Sequence, residues 1–192
     1  MRFSPWLVVT GLQLVVILML ATGRGAPISA AGAPEQSSVQ PPEPARAHVE
    51  RSLSLVEARI IIDAAMAYVR SQDRDAAIAV VDEHGNLISM DRTDGTSQFY
   101  GRFAVGKAVG AAALQQPTAV SAEQYEVNPQ RFLSALSMLQ GEILLIRGGV
   151  PLMIDGRVIG GVGSAGFGPV GDEPAVAAGI EAWERYRVER GG

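Results

Sequence analysis

Hydrophobic and polar positions change period several times along the chain, and each change marks an element. In SLSLVEARIIIDAAMAYVRSQ, Leu55, Ala58, Ile62, Ala65 and Val69 recur at helical spacing. Ser54 and Glu57 supply the S-x-x-E pair that satisfies two orphan donors at a helix start, so the pattern predicts a helix over 54–71. In AAIAVVDEHGNLISMDRTDG the period shortens. An apolar run over 77–81, the turn residues EHGN and then LISMDR predict a β-hairpin. SQFYGRFAVGKAVGAAALQQPT predicts a second helix over 97–115, ended by Pro117. The next stretch, TAVSAEQYEVNPQRFLSALSMLQ, is less periodic and reads as a loop around Asn128–Pro129 followed by a short helix near 130–139. Three strand-like runs follow at 142–147, 150–154 and 157–163, with Asp155–Gly156 as a two-residue hairpin signal between the last two. DEPAVAAGIEAWERYRVER closes the chain as an amphipathic helix whose acidic start and basic end suit the helix dipole, with Pro174 in its first turn. Tight hairpins between strands make the sheet mainly antiparallel, which places the chain in the α+β class.

The second helix is unusual. It contains Gly101, Gly106 and Gly110, and an interior glycine costs about 1 kcal/mol relative to alanine. Phe103, Gly106, Lys107, Gly110 and Leu114 fall on one face by i, i+3, i+4 arithmetic. Such a face is a smooth trough bordered by a ring and an ammonium group. It suits either close packing against a sheet or second subunit, or a flat guest lying in it.

Glycine is also dense in RGGVPLMIDGRVIGGVGSAG, where Gly161, Gly163 and Gly166 match G-x-G-x-x-G. A dinucleotide site needs a second parallel strand with an acidic ribose ligand about 20 residues on. The chain ends one helix after Gly166, so no nucleotide is expected. The glycines instead serve backbone geometry: Gly148–Gly149 and Gly156 at turns, and Gly160, Gly161 and Gly163 as a bare strip where a backbone or ligand comes close.

Composition narrows the chemistry. The 192 residues carry a formal net charge of -4 and no Lys/Arg cluster, so nucleic acid and anionic membrane surfaces are not expected partners. There is no cysteine, which excludes disulfides, thiol catalysis and thiolate metal sites. The N-terminal segment has Arg2, an uncharged apolar run from Trp6 to Ala21, and small residues at Ser29, Ala30, Ala31 and Ala33. That reads as a secretory signal cleaved near Ala31, giving a periplasmic or secreted protein. The alternative is an uncleaved anchor, the one membrane contact expected, with the domain still outside the cytoplasm. Residues 32–51 are rich in Pro, Ala and Ser and are expected to be a disordered linker to a folded domain over 52–190.

LSLVEARIIIDAA, AIAVVDEHGNLISMDRTDG, GKAVGAAALQQPT and GGVPLMIDGRVIGGVGSAG resemble, in order and spacing, the GlcG/HbpS family of haem-binding or haem-degrading proteins, the DUF336 domain, over about residues 52–185. The resemblance implies a profilin-like fold with an antiparallel five-stranded sheet flanked by helices, assembly into homo-oligomers, and haem or another tetrapyrrole as the ligand of some members. Haem-binding members carry Lys-Ala-x-Thr in the second helix, and the threonine contributes to haem binding. Lys107 matches, but Gly110 stands where that threonine is expected. Tyr100, Tyr125, Met138 and His84 are then the candidate iron ligands.

The expected ligand wall is Phe103, Gly106, Lys107 and Gly110, with Arg92, Tyr100 and the strip Gly160–Gly161 nearby. Lys107 is placed to meet an acid group of the ligand. Arg92, in DRTDG, either closes the hairpin with Asp94 or binds a carboxylate bidentately. His84 fits a solvent-exposed turn. No Ser-His-Asp set or proton-transfer pair is identifiable by spacing, so binding is expected rather than catalysis. If haem is also degraded, its iron would do the oxidative work. Two other readings stay open: an enzyme or accessory protein acting on a small organic acid in a catabolic pathway, and a non-catalytic partner of a membrane sensor or oxidoreductase.

Overall fold

A computed structural model describes residues 52–191. The leader and linker expectations, over 1–31 and 32–51, lie outside the described residues. The elements are α1 (Leu55–Ser71), β1 (Ala77–Asp82), β2 (Leu87–Arg92), α2 (Gln98–Leu114), α3 (Thr118–Val127), α4 (Pro129–Met138), β3 (Gly149–Ile154), β4 (Arg157–Ala165) and α5 (Pro169–Glu189). They form an α+β fold around one antiparallel sheet of order β2-β1-β4-β3.

α1 starts where its capping box requires. The Ser54 hydroxyl accepts from Glu57 N at 3.2 Å, and the Glu57 carboxylate accepts from Ser54 N at 3.0 Å. Glu57 is also buried and accepts from Trp183 Nε1 at 3.2 Å, which ties α1 to α5. These two helices cover one face of the sheet. Their contact with it forms the main core, which includes Ile61, Ile62, Ile78, Val80, Val162 and Trp183. Gly179 lets α5 approach α1 closely, since a Cβ there would lie 2.6 Å from Ile61 O.

α2 covers the opposite face. There the sheet side chains are small, with Ala77, Ala79 and Ala165 packing against Ala104. β1 is buried on both faces, which explains its unbroken apolar run in place of alternation. A Cβ on Gly161 or Gly163 would overlap the carbonyl oxygen of Ala108 or Ala104, so the helix backbone lies directly on β4. These two glycines sit inside a strand and serve helix–strand packing. Asp155 and Gly156 both have positive φ, 50° and 76°, as a primed hairpin turn requires.

Three expectations are corrected. The sheet has four strands, because residues 142–147 do not join it. Leu144 N instead donates to the α2 carbonyl of Gly106 at 2.9 Å, and Ile143 packs with Val109 and Ala112. The segment thus forms a strap over the outer face of α2. Residues 118–127, expected as irregular chain, form α3. α5 begins at Pro169, so Pro174 lies inside the helix and not in its first turn.

Candidate functional site

The face of α2 that carries Phe103, Gly106 and Gly110 is not an open trough along its whole length. From Gly106 onward it is filled by the strap. A Cβ on Gly106 would lie 3.1 Å from Leu144 Cβ, and one on Gly110 would lie 3.3 Å from Leu145 Cδ2. The other side of the helix rests on β4, where Gly161 meets Ala108 and Gly160 approaches the Val81 carbonyl of β1. Gly106, Gly110, Gly160 and Gly161 are therefore packing positions inside the molecule. They do not line a ligand wall.

Lys107 does not await an outside acid either. Its side chain is buried, with Nζ 2.8 Å from Asp172 Oδ2 and donating to Ser164 O at 2.7 Å. Asp172 Oδ1 accepts from Ser164 Oγ at 3.0 Å and from Phe167 N at 3.2 Å. This network joins α2, β4 and the start of α5. Its acidic member lies 65 residues from the lysine, too far along the chain for any motif to reveal it.

The N-terminal half of the same α2 stripe is bare. Phe99 and Phe103, one turn apart, are 63 % and 41 % exposed. Tyr100 meets Phe103 edge-on with ring centroids 5.8 Å apart, and is half-buried toward Gly166. Beside this aromatic face lies a shallow, open depression lined by Arg92, Asp94, Thr96, Ser97, Gln98 and Phe99. Arg92 reaches across it and donates to Thr96 O at 2.6 Å. That bond, not an ion pair with Asp94, closes the hairpin end. Ser97 occupies the N-cap of α2 without a side-chain capping bond, and the first turn holds no acidic residue. The helix therefore presents uncapped amides and the positive end of its dipole there. Of the residues expected from the sequence to line a ligand, Arg92, Tyr100 and Phe103 lie at this end of α2, beside Thr96, Ser97 and Phe99, which the sequence did not single out. The signal for Phe99 was present, since it precedes Phe103 by four residues.

The other candidate iron ligands are dispersed. His84 is exposed in the β1–β2 turn, where its backbone N donates to Asp82. Tyr125 is on α3, packed against Phe132, and Met138 is 84 % exposed at the end of α4. Of the four, only Tyr100 belongs to the aromatic face. No group of three or more metal-ligating His, Asp or Glu side chains occurs among the described residues. A second depression, lined by Arg147, Val170, Glu173, Pro174 and Ala177, offers less, because Arg147 is paired with Glu123 and Glu173.

The described residues thus build a small antiparallel sheet between a helix pair and a single glycine-bearing helix, with an aromatic face and an arginine at that helix's start. Residues 53–181 match the family model described as "Haem degrading protein HbpS-like", and the chain belongs to that family. The chain is 29 % identical over 116 residues to the "Uncharacterized 15.0 kDa protein in dhaT-dhaS intergenic region" of Citrobacter freundii, covering 60 % of this chain and 80 % of that protein. Its fold is similar to a double mutant of Streptomyces reticuli HbpS, with a TM-score of 0.61 and 26 % identity over 83 % of this chain and 97 % of that one. It is likewise similar in fold to a structure described as a PduOC:heme complex, with a TM-score of 0.61 and 24 % identity over 69 % and 95 % of the two chains. Haem binding is thereby supported at the level of the family.

Proposed function

We propose that the protein binds haem or a similar flat tetrapyrrole against the exposed aromatic start of α2. The observation that carries this reading is the Phe99–Phe103 stripe. It is a pair of large rings left in water on a helix that packs to backbone contact against β4 and the strap. Exposed contiguous aromatic surface of this kind is a feature of binding sites. A planar ring stacks on such a surface with dispersion and quadrupole contacts, and membership of an HbpS-like family supports haem as that ring. The residues present fit such a group: rings for the macrocycle, and a guanidinium within the adjoining depression for an acid substituent.

The position aligned with the family threonine, Gly110, lies under the strap, so a hydroxyl there would not reach a ligand on this face. Tyr100 is the iron-ligand candidate that the face retains. Haem, when bound, supplies redox chemistry. The chain's own contribution is to hold the ring and exclude water from one side.

The same reading puts the domain outside the cytoplasm, supported by the apolar run 6–21 and the small residues after it. Haemin titration of the full chain is expected to give a saturable, shifted Soret band. Phe99→Ala and Phe103→Ala should each weaken it about tenfold, the scale of losing one stacked ring. A flat titration removes the proposal. Peroxide-dependent bleaching of the bound ligand, faster than that of free haemin, marks degradation rather than storage.

A further inference from the structure

We propose that strand β2, at one edge of the sheet, pairs with the β2 of a second copy of this chain, so that two four-stranded sheets join into one. β2 is the last strand on its side, and no strand lies beyond it among the described residues. Thr93 N donates to Ala76 O at 3.0 Å, and in the same register Ile78 and Val80 face Asp91 and Ser89. Hydrogen-bonding direction alternates along an antiparallel ladder. The backbone N–H and C=O groups of Met90 and Arg92 therefore point away from β1. The bulge between Val80 and Val81 falls at the start of β2 and leaves Ser89 to Arg92 in regular register.

An open edge is a template for another strand, and folded proteins ordinarily blunt it with proline, lysine or a cover. The opposite edge, β3, is blunted in this way. Gly149 N is taken by Thr118 Oγ1 at 2.9 Å, and Pro151, two residues on, has no N–H to offer. β2 has neither proline nor lysine. Large apolar side chains stand in water around it instead. Leu87 and Met90, on the strand, are 52 % and 38 % exposed. On the other face, Arg59 of α1 reaches over the strand to Ser89 at 2.9 Å and Asp91 at 2.7 Å. Leu55 and Val56, one turn before Arg59 on the same side of α1, are both more than half exposed. Apolar surface gathered in this way marks an interface.

The strand's own sequence identifies a second copy as the occupant. A two-fold contact needs a self-complementary strand, and side chains on one face must stay on that face. Antiparallel pairing about Met90 meets both conditions. It sets Met90 against its own counterpart and Ser89 against Asp91 of the other copy, while Arg92 runs past the apolar start of the strand. No like charges lie opposite one another. Each Asp91, already held by Arg59, gains the opposing Ser89 hydroxyl as a donor. The row across the joined sheets is then two neutral ion pairs linked by two serines.

Sedimentation velocity of the full chain over a range of concentrations, with amide hydrogen exchange on the same samples, tests the pairing. The expected result is a reversible dimer, with protection of the Met90 and Arg92 amides that rises with concentration. Met90→Lys sets an ammonium group against its own copy and should weaken the dimer about tenfold or more. Met153→Lys, a substitution of similar exposure on the other edge strand, should leave it unchanged. Circular dichroism checks that both variants fold, and the exchange of the unsubstituted chain decides the matter without them. A chain that is monomeric at every concentration, or a dimer that Met90→Lys does not weaken, overturns the proposal. So does equal protection of the two amides at all concentrations, which would mean that the chain itself or another partner covers the edge. No ligand enters these measurements, so their outcome is separate from that of the haemin titration.

Discussion

Replacing Lys107 by methionine removes the ammonium group and keeps most of the stem. Lys107 and Asp172 are each 3 % exposed, with Nζ and Oδ2 2.8 Å apart. The substitution leaves the Asp172 charge out of water with only Ser164 Oγ and Phe167 N facing it, and leaves Ser164 O without its side-chain donor. Removing one member of a buried pair costs about 3–5 kcal/mol, because the other charge stays behind uncompensated. For a domain of this size, that corresponds to a fall in melting temperature of about 10–20 °C. Changing Asp172 to asparagine as well removes the stranded charge while retaining an acceptor for Ser164 and Phe167. The double variant should therefore recover about 2 kcal/mol of the loss. Urea unfolding followed by circular dichroism measures both differences from the midpoint and slope. A single variant that loses less than about 1 kcal/mol, or a double variant no more stable than the single, would refute the buried-pair account.

Gly163→Ala should destabilise the domain by about 3 kcal/mol or more, since the added methyl would overlap the Ala104 carbonyl oxygen and neither backbone has room to retreat; soluble yield and thermal denaturation report it. Trp183→Ala should cost about 3–5 kcal/mol, through the cavity left between α1 and α5 and the loss of a bond to buried Glu57, again read by urea unfolding. Thr118→Val should cost about 1–3 kcal/mol, because Thr118 Oγ1 donates to Ile146 O at 2.6 Å and accepts from Gly149 N at 2.9 Å; hydrogen exchange at Leu144 should rise as the strap loosens. Partial burial pushes the Asp82 carboxyl up, but bonds from the Asn86 side chain, Asn86 N and His84 N outweigh it and hold the group below its ordinary range. A depressed folded-state value means stability that is present above the unfolded value, near 3.9, and lost as pH falls through the folded one. The stability difference between the native chain and Asp82→Asn is therefore expected at pH 6–7 and should shrink below about pH 4; a difference independent of pH would contradict it.

Much of this fold was legible from the chain because its signals are local. The capping box at Ser54 and Glu57, the EHGN turn and the Asp155–Gly156 turn each act within a few residues. α3 left no such trace. Its buried residues are Thr118 and Ser121, both polar, so no apolar stripe marks it. The strap was misread for the opposite reason. Ile143, Leu144 and Leu145 form an apolar run that suits an edge strand equally well, and only the three-dimensional proximity of Gly106 and Gly110 decides that it packs on a helix. The same proximity displaced the expected binding wall. The glycines of α2 signalled close approach, and what approaches them is the protein's own chain. Arg92, Tyr100 and Phe103 were accessible to sequence reasoning through the DRTDG hairpin end and the helical spacing. The burial of Lys107 depends on contacts between distant segments.

Because α2 is pressed to backbone contact on one side by β4 and on the other by the strap, Ala104, Gly106, Ala108 and Gly110 in its last three turns have little room for a larger side chain. Only the first two turns, with the hairpin end beside them, can vary without rebuilding the interior. Divergence in what related proteins recognise should therefore concentrate between residues 92 and 103, while the remainder of the helix acts as a fixed mounting. Grafting that dozen residues from one relative to another should carry the ligand preference with it.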